Sequence, residues 1–340
     1  MPGESAISDA IKPQRTRRAR VLLASHATAS LGSATDFASC PSHVLQAAGR
    51  AYYWRGAGPL SVKMFRGGTA RYRSGGARYA VGDASYLLLN HGQEYEIAIE
   101  SDAPVESFCL FFRAGLAEEV ARSLAARPES LLDGPHDAPG GPLHFYERTY
   151  PHDTGDVLSS ALFGLRAAVA RLGAGPDDAP SPGWVDEQMR AVLERLLARH
   201  ASVRAEVAAF GASAALLRPA TRDELYRRLH RARDFVADAF PEPLTLDEMA
   251  RVACLSPNHF LRTFKALFGQ SPHQYLTERR LAEARRLLLA TDLTVTEVCL
   301  CVGFVSLGSF SSLFARRFGL SPERYRREHR FPPAARVAPG

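Results

Sequence analysis

From about residue 44 to 113 the chain alternates short apolar and aromatic runs with turn residues. LSVKMF (Leu60–Phe65) ends at Gly67-Gly68, ARYR (Ala70–Arg73) at Gly75-Gly76, and ARYAV (Ala77–Val81) at Gly82-Asp83. SYLLLN (Ser85–Asn90) precedes Gly92, YEIAIE (Tyr95–Glu100) runs into a turn at Ser101–Pro104, and VESFCLFF (Val105–Phe112) closes the series. Turn signals about ten residues apart predict a small antiparallel barrel or sandwich. At Leu116 the period becomes helical, first in LAEEVARSLAAR and again in VLSSALFGLRAAVARL from Val157. GAGPDDAPSPG (Gly173–Gly183) has the composition of a linker. In the helix that follows, Val185, Met189, Val192 or Leu193, and Leu196 form one apolar stripe. The stripe suits a dimer seam, or packing on the chain's own barrel, equally well.

The last third of the chain repeats itself. LTLDEMARVA from Leu244 matches LTVTEVCLCV from Leu293, and SPNHFLRTFKALFGQSPHQY from Ser256 matches SLGSFSSLFARRFGLSPERY from Ser306. One supersecondary unit is written twice. Thr245 with Glu248, and Thr294 with Glu297, have capping-box spacing and start a short helix in each copy. A tight turn follows, in which Gly303 suits a left-handed position better than Cys254 does. Ser256, ahead of Pro257, and Ser306 then cap a second helix. Gly269 and Gly319 end these helices, and Ser271-Pro272 and Ser321-Pro322 start the next. Phe260 and Phe264 fall on one face of the second helix, as do Phe310, Phe314 and Phe318 in its twin; those faces must pack inward.

A short helix, a tight turn and a second helix with a polar outer face make a helix-turn-helix. With the phenylalanines inward, Asn258, Leu261, Arg262 and Lys265 face out. Arg262 has the reach to pair with guanine, Asn258 with adenine, Leu261 with a thymine methyl, and Lys265 with phosphate. The outer face of the second copy is small and hydroxylic, with Gly308, Ser311, Ser312 and Ala315. We therefore expect direct base readout from the first copy. Phosphate and shape contacts are expected from the second, through Ser309, Ser311, Ser312 and Arg316.

Charge sharpens this division. From Thr221 onward the chain holds 19 basic and 13 acidic residues, a net of +6, while the whole chain holds 42 and 36, also +6. The excess positive charge lies entirely in the repeated part, which suits an anionic partner. Hydrophobic residues at 46% suffice for proper cores, and no apolar run has membrane-spanning length. Five scattered cysteines suit a reducing cytoplasm rather than a disulfide framework. Residues 1–40 have the character of a disordered basic tail. His91 stands alone beside Glu94 and Glu96, a turn residue rather than half of a metal site. Cys299 and Cys301 lie two apart on a helix and point different ways. Tyr72, Tyr79, Tyr86 and Tyr95 either line a ligand pocket or are strand-face aromatics. No phosphate loop or nucleophile elbow is present, and no catalytic residue, cofactor or metal is expected. Arg279, Arg280, Arg285 and Arg286 fit solvated or salt-bridged roles better than a phosphate clamp.

Two tandem units with RLHRARDFVADAF ahead of them, and an ending that reads VGF.S..SFS..F....G.SP..YR, resemble the AraC/XylS family of bacterial transcription regulators over about residues 228–330. The resemblance implies a regulator whose two recognition helices enter successive major grooves of double-stranded operator DNA. It places base-facing positions at Asn258, Leu261 and Arg262, and at Leu307, Gly308, Ser311 and Ser312. RNA polymerase is implied as a further partner. The stretch YAVGDASYLLLNHGQEYEIAIES resembles the cupin-like sensing and dimerisation domain of many members, which implies a small-molecule effector, a homodimer, or both. The expected fold is α+β and multidomain: a cupin-like β-barrel with following helices at 41–172, a linker and linker helix at 173–225, and an all-α domain of two helix-turn-helix units joined by a long helix at 226–332. The rival from another class is a cupin-type binding protein or enzyme whose helical part is only a scaffold.

Overall fold

A computed structural model describes residues 17–23, 41–125, 143–153, 156–172, 180–212 and 219–329. The chain divides into two compact units, Met1–Arg227 and Arg228–Gly340.

The first unit is built on one eight-stranded antiparallel sheet that curls into a near-closed barrel. Its strands are β1 Arg17–Leu23, β2 His43–Gly58, β3 Ser61–Arg66, β4 Ala70–Ser74, β5 Ala77–Val81, β6 Ser85–Leu89, β7 Gln93–Phe111 and β8 Thr149–Pro151. The path is β1-β2-β7-β3-β6-β8, with β4 paired to β5 and β7. β7 organises the barrel. One edge pairs with β2 along nearly its whole length. The other edge pairs first with β4 (Glu96–Ile99) and then with β3 (Glu106–Phe111).

Two expectations need correction here. Ser101–Pro104 does not reverse the chain: β7 runs through it. The β2 register jumps there from Ala51↔Glu100 to Gly49↔Val105, so the extra residues of β7 bulge outward. Pro104, which has no N–H to give a ladder, sits where the ladder is broken. Arg17–Leu23 of the expected basic tail is strand β1, paired to β2 over His43–Gln46 and again at Ala48 after a register irregularity. It supplies backbone pairing for one edge of β2. The rest of 1–40 lies outside the described residues, as does Gly173–Ala179 of the linker. Gly75 (φ 53) and Gly76 (φ 78) form the two-residue turn between β4 and β5, where both positions need positive φ.

Among the described residues, three helices accompany the barrel: α1 Leu116–Ala125, α2 Val157–Arg171 and α3 Pro182–Ala212. Val185, Met189, Val192, Leu193 and Leu196 of α3 are all buried. α3 packs on α1 and α2, and Arg190 of α3 lies 3.7 Å from Glu119 of α1. The stripe therefore packs within its own unit. α4, Pro219–Ala239, carries the division between the units.

The second unit holds α5 Leu246–Val252, α6 Pro257–Phe268, α7 Pro272–Ala290, α8 Val295–Cys301, α9 Leu307–Phe318 and α10 Pro322–His329. Both Thr/Glu capping boxes are formed, and Ser271 with Gln274 adds a third that the sequence reading passed over. Ser306 caps α9 through the Ser309 N–H, but Ser256 makes no side-chain cap bond; Pro257 at the first helical position leaves one fewer N–H to satisfy there. The repeated phrase F-G-x-S-P-x-x-Y has a packing reason. Phe268 and Tyr275 both close on Phe264, at ring-centroid distances of 4.5 and 6.0 Å. Phe318 and Tyr325 close on Phe314 in the same way, at 4.6 and 5.5 Å. Gly269 (φ 72) and Gly319 (φ 79) turn the chain between each pair of rings.

The two tight turns differ. Gly303 has φ 88, and a Cβ there would lie 2.5 Å from the Pro241 carbonyl oxygen. Cys254 holds the equivalent turn at φ 51 and is the non-glycine residue with positive φ among the described residues. Left-handed backbone costs an L-residue about 1–2 kcal/mol. Gly303→Ala should therefore destabilise the second unit by about 2–3 kcal/mol. Cys254→Gly should stabilise it by about 0.5 kcal/mol, the strain relief being partly offset by a looser unfolded chain. Urea unfolding of the two variants checks both signs.

Candidate nucleic-acid interface

α6 and α9 are the second helices of the two repeated units, and each is fixed by the residues it buries. Phe260, Phe264, Phe310 and Phe314 are all 0% exposed. A helix that buries positions i and i+4 must turn the opposite side outward. On α6, Asn258, Arg262 and Lys265 are exposed and Leu261 is half-buried at the edge of the same face. On α9, Leu307, Gly308, Ser309, Ser312 and Arg316 are exposed and Ser311 is half-buried. Each residue named from the sequence is thus exposed or half-buried, although Leu307, three before Phe310, is exposed as the first residue of α9 rather than by lying opposite the phenylalanines.

The cations of this unit fall into two sets. Arg280 of α7 donates to the Phe240 and Glu242 carbonyls, both at 2.8 Å. Arg317 donates to Glu278 at 2.7 Å, joining α9 to α7. Arg286 pairs with Glu283, and Arg324 with Glu328. Arg326 donates to the Leu293 carbonyl. Arg262, Lys265 and Arg316 have no hydrogen-bond or ion-pair partner among the described residues. They are the basic side chains of α6 and α9 left open to a polyanion. Of the joining-helix arginines, Arg280 and Arg286 are occupied within the protein, while Arg279 and Arg285 lie 5.8 Å from the Phe240 ring and 5.6 Å from the Phe318 ring. Val305, in the turn before α9, is 98% exposed, and Leu300 is 61% exposed. The sequence pattern gave no outward reading of either.

The barrel interior is the second region of interest. Phe65, Tyr72, Tyr79, Leu87, Leu89, Tyr95, Ile97 and Cys109 belong to one buried cluster. Tyr86 faces the other side of the sheet and stacks on Tyr150 at 5.2 Å. The four tyrosines grouped in the sequence reading are therefore split between two faces. His91 is exposed in its turn, and no group of three or more His, Cys, Asp or Glu suited to a metal ion occurs among the described residues. Cys299 is buried in the α7–α9 core and Cys301 is exposed. The residue missed within the barrel is Lys63, 2% exposed on β3. Burial lowers its amine to a pKa of about 8, against a smaller opposing effect of the Cys109 thiol. The signal was present as one lysine inside the apolar run LSVKMF.

Residues 249–328 match the helix-turn-helix domain model, and residues 62–158 match the AraC-like ligand binding domain. Together these matches cover more than half of the chain. The chain belongs to the AraC/XylS family. Among curated AraC/XylS relatives, the chain is 44% identical to the transcriptional activator NphR of Rhodococcus over 89 residues, 25% of each protein. It is 38% identical to the transcriptional regulator ArgR of Pseudomonas aeruginosa over 89 residues, 26% of this chain and 27% of that protein. The matched stretch spans about a quarter of the length of these relatives. Among solved structures, the DNA-binding domain of AdpA in complex with a target DNA is 32% identical, covering 30% of this chain and 91% of that one, with a TM-score of 0.29. Among the described residues no helix is long and apolar enough to cross a membrane.

The Lys63 amine gives a pH prediction. Its folded pKa of about 8 lies below the ordinary lysine value of 10.5, so between these pH values the unfolded chain binds more protons. Lys63 therefore costs stability while charged, and the cost is relieved as pH rises from about 8 toward 10. Lys63→Met should be more stable than the parent at neutral pH, and the gap should narrow over that window. Thermal unfolding of both chains across the range measures the gap.

Proposed function

We propose that the chain is a sequence-specific DNA-binding transcription regulator, acting in the cytoplasm and without catalytic activity of its own. The observation that carries this reading is the coincidence of fully buried phenylalanines with unpaired cations on the opposite face of α6. α6 enters a major groove, where Arg262 donates to guanine, Asn258 meets adenine and Leu261 touches a thymine methyl. Lys265 neutralises phosphate. α9 enters the next major groove and contributes through Leu307, Gly308, Ser309, Ser311, Ser312 and Arg316. Its short side chains carry little base readout, so it acts through phosphate contact and fit to the duplex. The barrel senses a small molecule, and the family relationship supports a homodimer, contact with RNA polymerase and action as an activator.

Binding to fragments selected from random duplex DNA tests the reading. The logarithm of the binding constant should fall with the logarithm of salt concentration, with a slope of about −0.9 per phosphate neutralised. Arg262→Ala should relax preference at one base position by about 1–3 kcal/mol. Ser312→Ala should weaken binding while leaving the preferred sequence unchanged. A flat salt response, or a sequence preference lost with Ser312→Ala and kept with Arg262→Ala, contradicts the assignment.

A further inference from the structure

Lys63 sits on β3 between two neighbouring strands. Its backbone partners are Leu87 on β6 and Cys109 on β7. Directly opposed residues in antiparallel strands share a face. Leu87, Cys109 and Phe65 all belong to the inner cluster, so Lys63 points into the barrel. Its Nζ donates to the Tyr95 hydroxyl at 3.3 Å and lies 3.6 Å from the centroid of the Phe111 ring. It has no carboxylate partner among the described residues. A buried cation held by one phenol and an aromatic face lacks the counter-charge that burial demands.

A second group on the same face points the same way. Ser61 lies two residues before Lys63 and opposes Leu89 and Phe111. It is 0% exposed, and its Oγ is buried with no hydrogen-bond partner. A cation without a counter-ion and a hydroxyl without a partner therefore project from neighbouring inward positions of one strand. The surroundings are aromatic. His43 stacks on Phe111 at 4.6 Å, and Tyr95 lies 4.8 Å from Trp54 and 5.7 Å from Tyr72.

We propose that the barrel's effector is an organic carboxylate with an aromatic or apolar body, its carboxylate taken by Lys63 Nζ and Ser61 Oγ and its body lying against the Tyr72–Tyr95–Trp54 side. This rests on the reading of the barrel as a sensing domain and gives that sensor a ligand chemistry. Such a ligand supplies the missing negative charge and accepts the unused hydroxyl proton, while the aromatic groups cover its body. An uncharged ligand of the same shape leaves the cation as it is, so selection falls on charge.

The test uses the full chain with phenylacetate, 3-phenylpropanoate and 4-phenylbutanoate, each set against the matching alcohol, in titration calorimetry. At least one acid should bind better than its alcohol by about tenfold or more, the worth of a charge-assisted hydrogen bond. Lys63→Met should abolish that preference. Ser61→Ala should weaken acid binding severalfold, which keeps the test open if Lys63→Met fails to fold. No acid binding, equal binding of acid and alcohol, or acid preference intact in either folded variant overturns the proposal. DNA binding by the same preparations is measured in parallel. Absence of acid selectivity in the parent chain, with normal DNA binding, sinks this inference alone, whereas a parent chain indifferent to DNA sinks the regulatory reading.

Discussion

The burial of one aromatic knot, used twice, is the constraint on which the second unit depends. Phe264 meets Phe260, Phe268 and Tyr275, and Phe314 meets Phe310, Phe318 and Tyr325. Each knot joins the second helix of a unit to the helix that follows, across a glycine turn. Truncating a buried phenylalanine typically costs about 3–5 kcal/mol, a large part of a domain's net stability. No rotation of α6 or α9 that exposed these rings would survive that cost. The orientation of Arg262 and Lys265 is thus set by residues on the far side of their helix. Function here is a consequence of packing: the core decides which residues remain for a partner.

The barrel makes the opposite use of burial. It draws a lysine and a serine into an aromatic interior and leaves them short of partners. A protein interior normally excludes such groups or pairs them. β3 holds both between β6 and β7, so neither reaches solvent by a small adjustment of the strand. Stability is lost where the fold keeps polar chemistry that it does not itself complete. The two units therefore divide the labour, with one presenting unpaired charge outward and the other holding it inside.

The helical unit was legible because its determinants are local. Thr245 with Glu248, Ser306, Gly269 and Pro272 act within a few residues, and duplication showed each signal twice. The left-handed turn at Gly303 followed from its residue type, whereas Cys254 holds the same turn against its own preference. The barrel was legible in outline only. Its strands declared themselves through turn glycines, but the inward place of Lys63 depends on pairing with residues 24 and 46 positions away. β1 was missed because its basic residues resemble a solvated tail, whereas its role is to pair the free edge of β2. Ser101–Pro104 has the composition of a turn, and only the partner strand distinguishes a bulge from a reversal.

Chemical interference mapping on a selected duplex tests the central claim most directly. Methylation of guanine N7 atoms blocks contacts in the major groove and leaves the minor groove open. If two repeated helices are turned outward by their buried phenylalanines, interference should fall in two patches about 10 base pairs apart on one face of the DNA. The stronger base-specific patch should respond to loss of the Arg262 side chain. A single patch, patches on opposite faces, or interference indifferent to Arg262 would contradict the account.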